Sequence, residues 1–131
     1  MRNGRRASGV RVSFAAMVRE QADAVFVTGT ALNYVHLRRI ADLAMTHRMP
    51  SFFEAREFAE FGGLLCYGWS AAEIGRNGAA YVRKILDGAK PAELPWGQPT
   101  KLELVINLKT AKALGLTIPK EMPLRADEVI Q

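Results

Sequence analysis

The sequence has a single cysteine, Cys66, and no long uninterrupted apolar run. One cysteine excludes an internal disulfide and a multi-cysteine metal site, and it leaves the redox compartment open. No stretch approaches the roughly 20 consecutive apolar residues of a membrane-spanning helix. The basic start leads into residues 10–14, where charge interrupts the apolar run, so we expect no signal peptide in the chain as written.

The 131 residues suffice for one domain with a hydrophobic core, and their 49% hydrophobic and 24% charged composition is typical of a globular protein. The net charge of +5 raises the question of nucleic-acid binding. Much of this charge lies in residues 1–12, which we predict to be a basic, flexible leader before a domain over residues 13–131. Because no aromatic residues alternate with its arginines, we expect no nucleic-acid partner.

The first half of the domain alternates between strand and helix patterns. Compact apolar runs at 24–27, 51–54 and 64–68 predict buried strands. Helical spacing at 32–48 and 55–61 predicts the connections between them, after a short first helix that Ser13 could cap. Parallel strands need such long connections. The sequence therefore predicts an α/β fold, a parallel sheet flanked by helices.

The second half contains a long helix and a proline-bearing connection. Ser70 and Glu73 form the pattern of a capping box, which predicts a helix over residues 70–86 with a wide apolar face. Residues 89–100 contain three prolines and are predicted to cross a surface in extended form. A fourth strand follows at 102–106, and Asn107 and Gly115 are placed to cap a helix over 108–114.

Few residues have the spacing of a catalytic or metal site. His36, His47 and Cys66 lack the spacing of zinc ligands, and no phosphate-binding glycine pattern follows a strand, so we predict neither metal nor cofactor. Glu54 and two further glutamates follow a strand at three-residue spacing. They suit either acid/base chemistry or charge compensation by Arg56 on a solvated helix. In open α/β sheets, ligands bind beyond the carboxyl ends of the strands. Residues 28–31, 54–56 and 66–68 should meet there.

Four segments resemble one known family. They are EAREF at 54–58, GGLLCYG at 62–68, ILDGAKPAELP at 85–95 and LVINLKTAKALGLTIP at 104–119. Together they resemble the substrate-binding proteins of ABC transporters, and the resemblance runs from about Phe14 to the end of the chain.

The resemblance implies a type I periplasmic binding protein, in which two α/β lobes joined by three crossing segments hold a ligand between them. This chain resembles the C-terminal lobe and a crossing helix, so we expect a truncated form. A small-molecule solute and an ABC transporter permease are the implied partners, and no enzymatic activity is implied. The implied location is periplasmic, or cytoplasmic if the chain is complete as written.

Some relatives in this family resemble binders of aromatic amino acids, which makes such a solute the first expectation. The candidate ligand-binding residues are Thr30, Glu54, Arg56 and Tyr67. The family commonly carries an aspartate where this chain has Thr30, which removes a charge suited to an ammonium group. Tyr67 could stack on a ligand or pack in the core. Arg56 could pair with a ligand carboxylate or form a surface ion pair with Glu57 or Glu60.

Three functions therefore remain at this point. The first is a solute-binding component of a transporter. The second is a cytoplasmic regulatory domain that forms a homodimer through the helix over residues 70–86. The third is an enzyme that uses the carboxylates near Glu54.

Overall fold

The computed structural model describes residues 3–95 and 97–131, and for residues 3–8 the backbone alone. A five-stranded sheet has the order β1 (Val25–Phe26), β2 (Ser51–Phe53), β3 (Leu65–Trp69), β4 (Leu102–Asn107) and β5 (Glu128–Ile130). The helices are α1 (Asn3–Arg19), α2 (Ala31–Val35), α3 (Leu37–Thr46), α4 (Arg56–Glu60), α5 (Ala71–Leu86), α6 (Leu108–Leu114) and α7 (Glu121–Arg125). No helix in this described part is long and apolar enough to cross a membrane.

The α/β prediction is confirmed, but the sheet is mixed rather than wholly parallel. Strands β1, β2 and β3 are parallel, whereas β4 runs antiparallel to β3 and β5 runs parallel to β4. The reversal arises because the connection that contains α5 starts and ends at the same edge of the sheet, so that β4 begins where β3 ends. Strand β5 and helix α7 have no counterpart in the sequence-based prediction.

The first helix begins much earlier than Ser13. Residues 3–12, which the sequence predicts to be a flexible leader, belong to α1, and residues 1–2 lie outside the described part. Ser13 is an interior helical residue whose hydroxyl donates to the carbonyl oxygen of Gly9 at 3.1 Å, so it does not cap. Its neighbour Phe14 is buried in the main core and anchors the helix.

Two other helices differ from prediction in extent. The helix expected over residues 32–48 is divided at His36 into α2 and α3, and α3 carries the buried face. Helix α6 follows the prediction closely, because the side chain of Asn107 accepts a hydrogen bond from the Thr110 amide and Gly115 has a left-handed φ of 75°.

The core lies between the sheet and helices α1, α3 and α4. Phe53 and Phe58 are completely buried and pack together with a centroid distance of 5.7 Å. A second, smaller group joins α4 to β3 and β4 through Ala59, Cys66 and Val105. Helix α5, by contrast, has no buried residue. The sheet and its flanking helices thus form a closed core, and α5 extends from it.

Candidate functional site

A cavity of about 530 Å³ lies at the edge of the sheet where β2 and β3 end. Strand β4 begins at this edge, because it is antiparallel to β3. We call this space the sheet-edge cavity. It is lined by Tyr34, Glu54, Ala55, Arg56, Glu57, Trp69, Ser70, Ala71, Ala72, Ile74 and Glu103. This is the edge at which open α/β sheets bind ligands.

Two glycines let Glu54 occupy its position in the cavity wall. A Cβ atom at position 68 would overlap with the backbone carbonyl group of Glu54, so the end of β2 can approach β3 only because residue 68 is glycine. A Cβ atom at position 29 would overlap with the Glu54 carboxylate. The loop after β1, the end of β2 and the end of β3 therefore meet at Glu54, as the sequence predicts.

Tyr34 is a hydrogen-bond partner of Glu54. Its hydroxyl donates a hydrogen bond to Oε1 of Glu54 at 3.3 Å, and its ring contacts the buried Phe53 edge-on at a centroid distance of 5.1 Å. Burial raises the pKa of Tyr34, and the charge and hydrogen bond of Glu54 raise it further. The phenol thus stays a donor that orients one carboxylate oxygen.

Arg56 lines the same cavity, but two carboxylates already contact its guanidinium. Its Nε donates to Oε1 of Glu60 at 2.9 Å, and its NH2 group forms an ion pair with Glu128 at the start of β5. The hydrogen bond to Glu60 is the main cause that raises the pKa of Arg56. Of the roles that the sequence allows, the surface ion pair is the one present here, and pairing with a ligand carboxylate remains a prediction.

Charge in the cavity wall is predominantly negative. Glu54, Glu57 and Glu103 line it, whereas Arg56 is the one cation among the lining residues. Glu60 and Glu128 already compensate Arg56, and Lys101 lies 3.9 Å from Glu103. The lining carboxylates that form no ion pair among the described residues are therefore those of Glu54 and Glu57. An electrostatic environment of this kind favours the ammonium group of a ligand over a carboxylate.

Two of the four predicted ligand residues, Glu54 and Arg56, line the cavity, and Thr30 and Tyr67 do not. The Thr30 hydroxyl caps α2 by accepting the Asn33 amide at 3.2 Å. Tyr67 is half-exposed on β3, so the core-packing alternative does not hold, and its contact with a ligand remains a prediction.

The aromatic residue in the cavity wall on this strand is Trp69, two positions further along and 52% exposed. The two-residue period of a strand places it on the same face as Tyr67. Sequence reasoning could have found Trp69 by this alternation, but it missed both Trp69 and Tyr34.

The described residues give little support for a cysteine nucleophile, a metal site or acid/base catalysis. Cys66 is buried in β3, and burial is the main cause that raises the pKa of its thiol to about 11, which suits a packed thiol rather than a nucleophile. No group of three or more metal-ligating side chains occurs in residues 3–95 and 97–131. Of the glutamates considered for acid/base chemistry, Glu60 pairs with Arg56.

Of the other depressions in the described surface, the two larger ones also lie away from the sheet edge. One, of about 320 Å³, is an apolar groove between α5 and the proline-bearing segment, and Tyr81 lines it. The other, of about 600 Å³, lies between α6, α7 and β5 and has Lys112 and Lys120 at its border. Neither combines carboxylates and aromatic rings at the ends of parallel strands, so the sheet-edge cavity is the candidate site.

Comparison with known proteins identifies the family that this chain resembles. The sequence profile of a family described as ABC transporter substrate binding protein matches residues 7–130. No curated protein sequence matches the chain.

Three solved structures share the fold. A conserved domain protein from Vibrio cholerae has a TM-score of 0.85 at 27% identity, over 94% of this chain and 41% of the other. The ABC domain from Streptococcus pneumoniae in complex with L-Trp has a TM-score of 0.82 at 27% identity, over 95% and 40%. A ligand-free, open substrate-binding protein with adhesive properties from Clostridium difficile has a TM-score of 0.62 at 19% identity, over 95% and 41%. The chain therefore spans about two fifths of the length of these structures.

Proposed function

The chain belongs to the ABC transporter substrate-binding protein family, and on that premise we propose that it forms one wall of a cleft that binds a small solute for uptake. The observation that carries the proposal is the sheet-edge cavity, which combines a carboxylate oriented by Tyr34 with the exposed indole of Trp69. Because the chain covers about two fifths of its structural relatives, the opposite wall of the cleft would come from a second lobe.

An aromatic amino acid or a related amine is the proposed solute. The Streptococcus pneumoniae neighbour was solved with L-Trp, at 27% identity to this chain. Here Glu54 would accept the ammonium group of the solute, and Trp69 would stack on its ring. Arg56 would mainly pair with Glu60 and Glu128. The proposed wall would therefore bind the amine of the solute more strongly than its carboxylate.

Isothermal titration calorimetry with three probes tests the proposal. L-Trp carries both charged groups, tryptamine carries the amine alone, and indole-3-propionate carries the carboxylate alone. We expect L-Trp and tryptamine to bind and indole-3-propionate to bind much more weakly. Loss of a hydrogen bond to a charged group predicts a rise in Kd of about 10-fold to 100-fold for Glu54→Gln.

Glu93→Gln is the matched control, since Glu93 carries the same charge outside the cavity. Its affinity should equal that of the parent. If indole-3-propionate binds as tightly as tryptamine, Glu54 does not anchor the ligand. If none of the three probes binds, this wall does not take an aromatic amine.

The family also supports two broader proposals. In a complete transporter, the protein would deliver its solute to an ABC transporter permease, and it would work in the periplasm. Both follow from membership of the family rather than from any residue of the sheet-edge cavity.

A second candidate function is self-association through α5. None of its residues is buried, and Val82 and Leu86 are 57% and 81% exposed. Exposed apolar helix faces commonly mark interfaces. Light scattering on the purified chain tests this: a dimer that Val82→Glu converts to a monomer would support a self-associating role, and a monomeric parent would exclude it.

A further inference from the structure

Helix α5 is joined to the sheet by a small set of polar contacts around Glu73. The carboxylate of Glu73 accepts hydrogen bonds from the Thr100 amide at 3.4 Å, the Thr100 hydroxyl at 3.1 Å and the Lys101 amide at 2.9 Å. The amide of Ser70 donates to the Lys101 carbonyl oxygen at 3.2 Å. The two segments that connect α5 to the sheet are thus tied to each other just beyond the ends of β3 and β4.

This arrangement differs from the capping box that the sequence predicts. One half of the box is present, because the Ser70 hydroxyl accepts the Glu73 amide at 3.4 Å. The other half is absent: the Ser70 amide donates to Lys101, and the Glu73 carboxylate turns to the returning segment. The Glu73 carboxylate therefore bonds α5 to the segment before β4 and does not cap the N-terminus of its own helix.

Apolar packing does little to fix the direction of α5. No residue of the helix is buried, whereas Ser70 at its start is 2% exposed. The Tyr81 hydroxyl bonds the middle of α5 to Pro95 and Gly97, but these residues belong to the proline-bearing segment and not to the sheet. A helix that meets the sheet through its first turn can pivot about that turn, together with this segment, unless directional bonds prevent it. The bonds to Glu73 are directional, and the hydrogen bonds to it lower its pKa, with that from the Lys101 amide as the largest cause. These hydrogen bonds are suited to hold the orientation of α5 relative to the start of β4.

The same first turn forms part of the sheet-edge cavity. Trp69, Ser70, Ala71, Ala72 and Ile74 come from the end of β3 and the start of α5, and together they make one side of its lining. A pivot of α5 would displace this side relative to Glu54 and Arg56, which belong to the loop after β2 and to α4. The orientation of α5 therefore affects the shape of the cavity.

We propose that Glu73 is a positioning residue that locks α5, and with it one side of the sheet-edge cavity, to the segment before β4. Its role in ligand binding depends on the proposed function, whereas its role in holding α5 does not. The residue touches no ligand in this proposal, because it acts through Thr100 and Lys101.

Pulsed electron paramagnetic resonance on the chain measures the lock directly. Spin labels at Ala80→Cys on α5 and Lys109→Cys on α6 report the orientation of the helix, since both positions are exposed. The native Cys66 is buried, and its pKa of about 11 keeps it unlabelled at neutral pH. We expect a narrow distance distribution in the parent and a clearly broader one in Glu73→Ala.

Asp87→Ala is the matched control, because it removes the same charge from the other end of α5, where Asp87 is 3.8 Å from Arg83 and bonds to neither connecting segment. Its distribution should match the parent. Glu73→Gln keeps a carbonyl oxygen as acceptor, so it should broaden the distribution less than Glu73→Ala does. If Glu73→Ala gives the same distance distribution as the parent, Glu73 does not hold the orientation of α5.

Calorimetry with tryptamine then separates the two proposals. If the parent binds, Glu73→Ala should raise the Kd by about threefold or more while Asp87→Ala leaves it unchanged. An unchanged Kd in Glu73→Ala would overturn the positioning role. If the parent binds no probe, the proposed function fails, and the distance distributions still decide whether Glu73 holds α5.

Discussion

The hydroxyl of Tyr34 donates to Oε1 of Glu54 at 3.3 Å, although 20 positions separate the two residues in the sequence. This hydrogen bond joins the helix after β1 to the loop after β2. It also means that one oxygen of the carboxylate is occupied and oriented before a ligand arrives, while the other oxygen has no side-chain partner among the described residues. Preorganisation of this kind lowers the entropic cost of binding.

The titration of Tyr34 provides a first test of this contact. Burial is the largest cause that raises the pKa of Tyr34, and the Glu54 charge and hydrogen bond come next. Glu54→Gln removes the charge, so we expect the pKa of Tyr34 to fall but to stay above the ordinary value of 10.0 because burial persists. Carbon-13 NMR of labelled tyrosine follows the titration, and the other two tyrosine signals are internal references.

The opposite result would be equally clear. If the pKa of Tyr34 is the same in Glu54→Gln as in the parent, the two side chains do not interact in solution. The orientation of the Glu54 carboxylate would then need another explanation, and the proposal that it anchors an amine would lose its structural basis.

Substitution of glycine by alanine should change the free energy of unfolding in opposite directions at positions 68 and 75. Gly68→Ala places a methyl group against the backbone carbonyl of Glu54, which cannot move without shifting the end of β2. We expect a loss of about 1–3 kcal/mol in the free energy of unfolding, as for other overpacked sites. Gly75→Ala lies in α5 with nothing within 4 Å of the new Cβ, so it should gain about 0.5–1 kcal/mol from helix propensity.

Urea denaturation of both variants measures these changes. Because each variant adds one methyl group, the pair controls for the substitution itself. A Gly68→Ala variant as stable as the parent would mean that β2 and β3 do not approach as closely as described, and the wall of the sheet-edge cavity would change accordingly.

Because Cys66 is buried, we expect the free energy of unfolding to fall at alkaline pH. Burial raises the pKa of its thiol from 9.0 to about 11 in the folded protein. The folded state therefore favours the protonated thiol, and this contribution is complete below pH 9 and is lost as the pH rises through the folded value. Urea denaturation between pH 8 and pH 11 should show a decline in stability that is smaller in Cys66→Ala, in which the raised pKa of Tyr34 still contributes.

The same thiol should also react slowly with Ellman's reagent at pH 8 in the native protein and rapidly in denaturant. Equal rates in the two states would show that Cys66 is accessible. In that case it could not serve as a silent background cysteine in labelling experiments.

Local signals in the sequence predicted the parts of the fold that depend on neighbouring residues. The apolar runs located β1, β2 and β3, and Asn107 and Gly115 marked both ends of α6 because caps act within a few positions. The prediction that Ser13 caps a helix is wrong. A serine directly before an apolar residue has the sequence pattern of a helix cap, and the same pattern also occurs inside helices. Strand β5 is three residues long and has no pattern that separates it from a loop.

The site was predictable to the extent that it follows from sheet topology. Glu54 and Arg56 could be placed at the carboxyl edge because they follow a strand, and they do line the cavity. The partners of Arg56 were only partly predictable: Glu60 is four positions away, whereas Glu128 belongs to a strand that the sequence did not predict. Contacts between distant segments depend on packing, which periodicity does not specify.

The Glu73 lock predicts a loss of protection in acid. Its folded pKa lies below the ordinary value of 4.5, so its contribution is complete above that value and is lost as the pH falls through the lower folded pKa. Hydrogen exchange at the Lys101 amide, which donates to Glu73 at 2.9 Å, measures this locally. We expect its protection factor to decline on acidification in the parent and to be lower and nearly independent of pH in Glu73→Gln. The amide of Val105, in the buried part of the following strand β4, is the reference that should keep its protection. A parallel decline at both amides would indicate general acid unfolding instead, because a lock formed by one carboxylate must open before the sheet does.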